Sequence, residues 1–210
     1  MRLETKRLLL RPWRESDAQS LFDYAKDPRV GPIAGWMPHA SVEYSRQIIR
    51  EVLLAKETYA VVLKREGDRA VGSIGLLRGR ASNLPLLEKE GELGFWIGVP
   101  YWGQGLIPEA ARALIRHAFE DLGLEVLWCG YFDGNEKSHR AQTKCGFVFH
   151  HTVPDVYWTP MDDIRTEHIT CLTKGQWQAR RADDLFIKKG SGWSAALFPS
   201  LSGCIFCRNW

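Results

Sequence analysis

The stretch from Gly98 to Glu109 (Gly-Val-Pro-Tyr-Trp-Gly-Gln-Gly-Leu-Ile-Pro-Glu) points most directly to chemistry. An alternating strand ends there, two closely spaced glycines follow, and an amphipathic helix begins. Backbone N–H groups at a helix start lack intrahelical partners and, together with the helix dipole, attract an anion such as a phosphate. Gly103 and Gly105 let a ligand approach the main chain and permit positive φ. Pro108, in the first helical turn, withholds no donor that the helix needs. Two other nucleotide loops do not fit. There is no G-x-x-x-x-G-K-[ST], and in the G-x-G-x-x-G register the third glycine falls at Pro108. By itself the turn reads equally as an anion site or as an ordinary strand–turn–helix connection.

Thiols and imidazoles carry less. The five cysteines, at 129, 145, 171, 204 and 207, read as reduced thiols. Cys204 and Cys207 form a lone C-x-x-C without a second pair, short of the four ligands of a zinc site. The six histidines show no ligand spacing, and His150-His151 is an isolated adjacent pair. No metal is expected.

The elements that must hold the glycine turn follow from periodicity. Leu8 to Leu10 predicts a first strand. Ser16-Asp17-Ala18-Gln19 has a capping-box pattern before Ala18, Leu21, Phe22 and Ala25 at helical spacing, and Asp27-Pro28 closes that helix. Gly31 to His39 predicts a packed loop carrying Trp36, and Ser41 to about Lys56 a second helix. Thr58–Leu63 and Ala70–Leu77 form a hairpin across Glu66-Gly67-Asp68-Arg69. From Glu92 to Val99, Leu93, Phe95, Ile97 and Val99 share one face, while Glu92, Gly94, Trp96 and Gly98 share the other. Ile107, Ala111, Leu114, Ile115, Ala118, Phe119 and Leu122 mark a long helix ended by Gly123. A strand over 125–131, a short helix over 135–145 and strands near 147–152 and 167–173 complete the pattern. Beyond Thr173 the periodicity fails. Hairpin and strand–helix–strand passages together predict a mixed α/β or α+β domain with antiparallel and parallel pairs.

From Glu92 to Phe147 the chain resembles the GNAT superfamily of acetyl-CoA-dependent N-acetyltransferases, and most of all the branch containing the ribosomal-protein N-terminal acetyltransferases. The matching residues are Glu92 to Ile97, Pro100 to Gly105, Glu109-Ala110, Asn135-x-x-Ser138 and Lys144 to Phe147. The opening Leu3-Glu4-Thr5-x-Arg7-Leu8-x-Leu10-Arg11 and Asp17-Ala18 also look like that branch. The resemblance covers about 1–174. It implies a mixed, mostly antiparallel central sheet with helices on both faces and a splayed parallel pair at the CoA site. It also implies a pyrophosphate cradle of backbone amides formed by Trp102, Gly103, Gln104, Gly105, Leu106, Ile107 and Pro108. Trp102 stands where the family's Q/R-x-x-G-x-G/A pattern has Gln or Arg, and Ile107, a departure, where it has the final Gly or Ala. The backbone of Ile97, Gly98 and Val99 would pair with the pantetheine arm like an added strand. Asn135 matches a CoA-contacting residue, and Ser138 the serine near the CoA sulfur. A good N-cap and an ordinary first-turn serine would look the same.

Acetyl transfer from a thioester to an amine requires that the ammonium lose a proton, the carbonyl be polarised and the departing thiolate be protonated. Direct transfer in a ternary complex needs proximity and no covalent enzyme intermediate. Glu92 is the first candidate for general base, beside the space left by Gly94 and Gly98, where partial burial would raise its pKa. Asp155, Asp162 and Asp163 are the runners-up. Ser138 is the candidate proton donor to the thiolate. Trp36, Trp96, Tyr157 and Trp158 are candidate walls of an acceptor pocket. Acidic residues at 88, 90, 92, 162 and 163 favour a cationic amine, either a small molecule or a peptide N-terminus. A non-catalytic acyl-CoA-binding module on the same fold is the alternative.

Composition bounds the rest. The 210 residues are 45% hydrophobic, which excludes a disordered chain, and no apolar run is long enough to span a bilayer. No secretory signal is evident, so a cytoplasmic monomer or homodimer is expected. The net charge of +3 lies wholly in 175–210, which holds five basic and two acidic side chains; 1–174 holds 23 of each. That neutral body gives no basic face for nucleic acid. The expected division is a transferase domain over 1–174 and an unassigned basic, partly apolar tail over 175–210.

Overall fold

Alternation along the early strands sets two apolar layers on opposite faces of one sheet. Leu8, Leu10, Tyr59, Val61, Leu63 and Val71 belong to the larger core, whereas Ala60 and Ala70 belong to a second cluster. The computed structural model describes residues 1–189. Its strands are β1 (Leu3–Glu4), β2 (Leu8–Pro12), β3 (Thr58–Leu63), β4 (Ala70–Leu77), β5 (Glu90–Ile97), β6 (Val126–Phe132), β7 (Val148–Trp158) and β8 (Asp163–Thr173). They lie in the order β1-β2-β3-β4-β5-β6-β8-β7, and every neighbouring pair is antiparallel except β5–β6.

The helices are α1 (Ala18–Ala25), α2 (Gly31–Ala34), α3 (Val42–Ile48), α4 (Leu106–Glu120), α5 (Glu136–Cys145) and α6 (Lys174–Lys189). The apolar stripe of α4, with Ala111, Leu114, Ile115, Ala118 and Phe119 buried, fills the larger core. Leu21 and Ala25 of α1, with Ile49 and Leu53 beyond α3, cover the other face together with Trp13. Ser41 caps α3 by accepting the Tyr44 N–H at 3.0 Å, and the helix runs on as a π-turn over Ile49–Leu53. The sheet is thus mixed, mostly antiparallel, with helices on both faces.

Three local expectations change. The Ser16-Asp17 pattern does not cap α1 with a side chain: a 3-10 turn occupies Glu15–Asp17, and the Asp17 carboxylate is drawn to Arg11 instead. The loop over 31–39 contains the one-turn α2. The loss of periodicity after Thr173 does not end regular structure, because α6 follows. Trp177 of α6 lies against Phe119 with ring centroids 5.3 Å apart, and Arg181 stacks over Trp177 and pairs with Glu120. The residues over 190–210, including Cys204 and Cys207, lie outside the described residues.

Arg11 is the largest fully buried side chain, at 1% exposure. It makes a bidentate pair with Asp17, Nη1–Oδ2 at 2.7 Å and Nη2–Oδ1 at 2.8 Å, and its Nε donates to Asp68 Oδ1 at 2.7 Å. This ties the β3–β4 hairpin to the start of α1. Removing one partner of a buried pair leaves the other charge uncompensated, a loss of about 3–5 kcal/mol. Arg11→Met is therefore expected to destabilise folding by that amount in urea denaturation, and a change below about 1 kcal/mol would show that Asp17 finds other solvation.

Candidate active site

The cleft arises because β5 and β6 part. They pair in register only at Glu90↔Val126, Gly91↔Leu127 and Glu92↔Trp128, yet β5 runs on to Ile97 and β6 to Phe132. Each then follows its other neighbour: β5 stays with β4 to Ile97, and β6 stays with β8 to Phe132↔Glu167. The gap is a cavity of about 180 Å³. Glu92 and Glu167 line it together with Ser138, and Ile33 and Ala34 of α2 are also in its wall. Three donors hold that segment: Arg165 Nη1 to Pro32 O at 2.7 Å, Asn135 Nδ2 to Ile33 O at 3.1 Å, and Trp158 Nε1 to Gly35 O at 2.6 Å.

Gly94 opens the cavity as its position on the Glu92 face predicts, since a Cβ there would meet nothing within 4 Å. Gly98 does not. A Cβ at Gly98 would lie 2.6 Å from the Tyr24 ring, so the missing side chain there admits an aromatic ring and leaves no room for substrate.

Two carboxyl groups share the cavity. Burial raises Glu92, and hydrogen bonds from Ser82 Oγ at 2.6 Å and the Asn83 main chain oppose that rise by stabilising its charge. Glu167 is pushed up to about 7, first by burial and then by the negative charge of Glu92. Gly130 makes room for it, because a Cβ at 130 would stand 2.3 Å from Glu167 Oε1. Sequence reasoning placed Glu167 only in a strand. The available signal was Gly130, a glycine inside a strand pattern, which marks a close approach.

Ser138 faces the cavity from the first turn of α5, and Asn135 caps that helix by accepting the Ser138 N–H at 3.2 Å. Both of Asn135's expected positions therefore hold, as cap and as part of the cavity lining.

At the far end of β5, Gly103 and Gly105 have φ of +75° and +70°. A Cβ at Gly103 would meet nothing within 4 Å, and Gly105 starts the 15-residue α4 with no side-chain cap. The first amides of α4 are thus without a side-chain acceptor. Glu109 in that first turn would oppose an anion, but it is tied back by Arg7 Nε at 2.6 Å, Arg7 N at 2.8 Å and Thr5 Oγ1 at 2.6 Å. Arg7 Nη1 also donates to Gln104 O at 3.0 Å, bracing the loop. Ile107 and Leu106 are buried in the larger core, so the Ile107 side chain packs inward and its size does not bear on the loop. Lys137 Nζ stands 4.4 Å over the Trp102 ring, linking α5 to the turn.

The main chain at 97–99 is more engaged than expected. Ile97 O accepts from Trp102 Nε1 at 2.8 Å, Gly98 O from Tyr101 N at 2.9 Å, and Val99 O from Trp102 N at 3.1 Å. Leu93 O accepts from the Cys129 thiol at 2.9 Å. Leu93 and Ile97 thus turn their carbonyls away from β4, and with a period of two the peptide groups of Phe95 point into the same gap.

An uncapped helix start behind two glycines at positive φ, a splayed parallel strand pair and a serine beside two carboxyl groups in one cavity narrow the possibilities. A model of the acetyltransferase (GNAT) domain matches residues 7–148. The chain belongs to the GNAT acetyltransferase family. The Bacillus subtilis protein named uncharacterized N-acetyltransferase YoaA is 27% identical over 149 residues, which is 69% of this chain and 81% of its own length. The ribosomal-protein-S5-alanine acetyltransferase from Vibrio fischeri shares the fold with a TM-score of 0.65 at 21% identity, over 84% of this chain and 98% of that one. The microcin C7 self-immunity acetyltransferase MccE, solved with acetyl-CoA and AMP, does so with a TM-score of 0.66 at 15% identity, over 80% and 93%. GNAT enzymes take the acetyl group from acetyl-CoA and act on amines.

Apart from Trp158, the other candidate residues of this acetyltransferase fall outside the cavity. Asp163 is paired with Arg165 at 2.7 Å and Asp162 accepts from the Tyr157 hydroxyl at 2.5 Å, while Asp155 sits at positive φ in β7. Trp158 reaches the cavity, but Trp36 and Trp96 pack on each other, 5.8 Å between centroids, beneath the second cluster, and Tyr157 is exposed. Burial raises the Cys129 thiol well above its ordinary value and pushes Cys145 up to about 11, so both remain protonated core thiols at neutral pH. Among the described residues no helix is long and apolar enough to cross a membrane.

Proposed function

We propose that this acetyltransferase moves the acetyl group directly, within a ternary complex, to a primary amine that enters the cavity as its ammonium. The observation that carries this reading is the pair of carboxyl groups, Glu92 and Glu167, lining the same cavity as Ser138. Acetyl-CoA supplies the activated thioester. The chain supplies four things. Main-chain N–H groups from Gly103 to Ile107, with the Trp102 and Gln104 main chain braced and Pro108 closing the cradle without a donor, hold the pyrophosphate. The free edge of β5 at Phe95, continued by Ile97, Gly98 and Val99, guides the pantetheine arm. Glu92, whose charge Ser82 and Asn83 support, ionises first and draws the ammonium; the proton passes to the pair, directly or through water. The Ser138 hydroxyl donates to the sulfur as negative charge develops there, and Asn135 fixes the helix that carries it.

The catalytic unit on this reading is 1–174. The acceptor is a small-molecule amine or a peptide N-terminus; the name of the Vibrio fischeri neighbour gives a ribosomal-protein alanine for that protein. A thiol-release assay with acetyl-CoA against free amines, aminoglycosides and peptide N-termini tests it. The expected result is turnover of at least one cationic amine, with initial-rate lines that intersect when both substrates are varied. Parallel lines, the mark of a covalent acetyl-enzyme, would overturn direct transfer.

A further inference from the structure

Ser138 and Gln142 lie four residues apart on α5 and so share one helix face. Gln142 is 1% exposed, a buried amide on the side of α5 that faces the core with Ala141 and Cys145. Its Nε2 is 3.1 Å from the Gly130 carbonyl oxygen and 3.1 Å from Ser138 Oγ, and its Oε1 is 2.7 Å from Thr170 Oγ1. A main-chain carbonyl can only accept, so the group facing Gly130 must be the NH₂ and the amide has one orientation. Its second N–H then points at Ser138 and makes Oγ an acceptor. Thr170 supplies the hydrogen that Oε1 needs, at 2.7 Å against 3.0 Å to the Cys129 carbonyl.

The direction of these bonds has a consequence at the cavity. A serine in a helix commonly turns its hydroxyl hydrogen back to a carbonyl one turn earlier. Among the described residues no protein acceptor takes the Ser138 hydrogen; the bond from Gln142 is the one its hydroxyl makes. We infer that Gln142 is a positioning residue: by donating to Ser138 Oγ it leaves the Ser138 hydrogen aimed into the cavity. This rests on the reading of Ser138 as donor to the sulfur, and it adds a buried relay, Thr170 to Gln142 to Ser138, that sets the direction of that donor. The relay also joins β8, β6 and α5 at one point, so the hydroxyl is placed by three elements.

A double-mutant cycle at saturating amine tests the relay. Ser138→Ala is expected to lower kcat about 10²-fold as an oxyanion-type donor is lost. Gln142→Met, of similar volume but without hydrogen bonds, is expected to lower kcat about 10-fold with KM for acetyl-CoA within about twofold. In the Ser138→Ala background, Gln142→Met is expected to change nothing further. If instead the two effects multiply, Gln142 acts only through packing and the relay fails, while Ser138 keeps its role. If Ser138→Ala alone retains full activity, Ser138 leaves the reaction and the relay goes with it. Thr170→Val covers the case in which Gln142→Met does not fold. It removes the donor at Oε1 and is expected to show a smaller loss with the same dependence on Ser138, and multiplying effects overturn the relay equally.

Discussion

Glu92→Gln lowers kcat at neutral pH by about 10²-fold or more and moves the acid limb of the pH–rate profile to lower pH. On the proposed function the loss follows from removing a carboxylate from the pair that would take the proton of the ammonium. The shift follows from electrostatics. Burial raises Glu167 first, and the Glu92 charge raises it further, to about 7. A base must be deprotonated to act, so activity rises with pH as the pair loses its shared proton. When Glu92 carries no charge, Glu167 ionises more easily and the midpoint of the limb falls. Glutamine can still accept from Ser82, so the fold is retained. Glu167→Gln leaves Glu92 with its two donors, and the limb again moves below the wild-type position. A limb that stays in place in both variants would separate the two carboxyls and return the base to a group outside this cavity. Stability gives a second check. Folding favours protonated Glu167, so wild-type stability falls as pH rises from the ordinary carboxylate range through about 7, and Glu167→Gln reduces that fall to the part left by buried Glu92.

Gly103→Val and Gly105→Val each weaken acetyl-CoA binding by about 100-fold while the chain stays folded, its thermal midpoint falling by about 2–8 °C. Both residues hold positive φ, +75° and +70°, which costs a residue with a Cβ roughly 1–2 kcal/mol and more when it is β-branched. Relief of that strain rotates the amides that face the anion. Space within the protein is not the issue. A Cβ at 103 meets nothing within 4 Å, and one at 105 meets only Arg7 Nη2 at 3.9 Å. On the proposed function the added side chain stands where the pyrophosphate would lie. Calorimetry with acetyl-CoA reads the effect, and undiminished affinity in a folded variant would remove the turn from CoA binding. Kinetics at saturating acetyl-CoA are expected to show a KM for the amine close to wild type, because the cavity at Glu92 and Glu167 lies at the other end of the splayed strands.

Much of this site is written in short-range pattern. The alternation of Leu93, Phe95 and Ile97 against Glu92, Gly94 and Trp96 places one set in the larger core and the other on the opposite face, as the structure has it. The stripe of α4, the glycines before it and the Asn135 cap are likewise local, since each depends on residues within a few positions of one another. Where local rules failed, a distant group had taken over the residue in question. Asp17 does not cap α1 because buried Arg11 claims its carboxylate with two hydrogen bonds. Gly98 does not open the cavity because Tyr24 of α1 fills its place. The helix after Thr173 escaped notice, and its Trp177 finds its contact far back in the chain, on Phe119 of α4.

The sequence by itself determined most of the elements and the glycine turn, because strand alternation, helical stripe, caps and glycine turns are set by neighbours along the chain, and its motifs carried the resemblance to the family. Only the tertiary structure decided what stands opposite Glu92. Glu167 reaches the cavity through the antiparallel register of β8 on β6, and Gln142 is set behind Ser138 by the packing of α5 over Gly130. Such registers depend on pairing between segments far apart in the chain, and no period within either segment encodes which residue will face which across the gap.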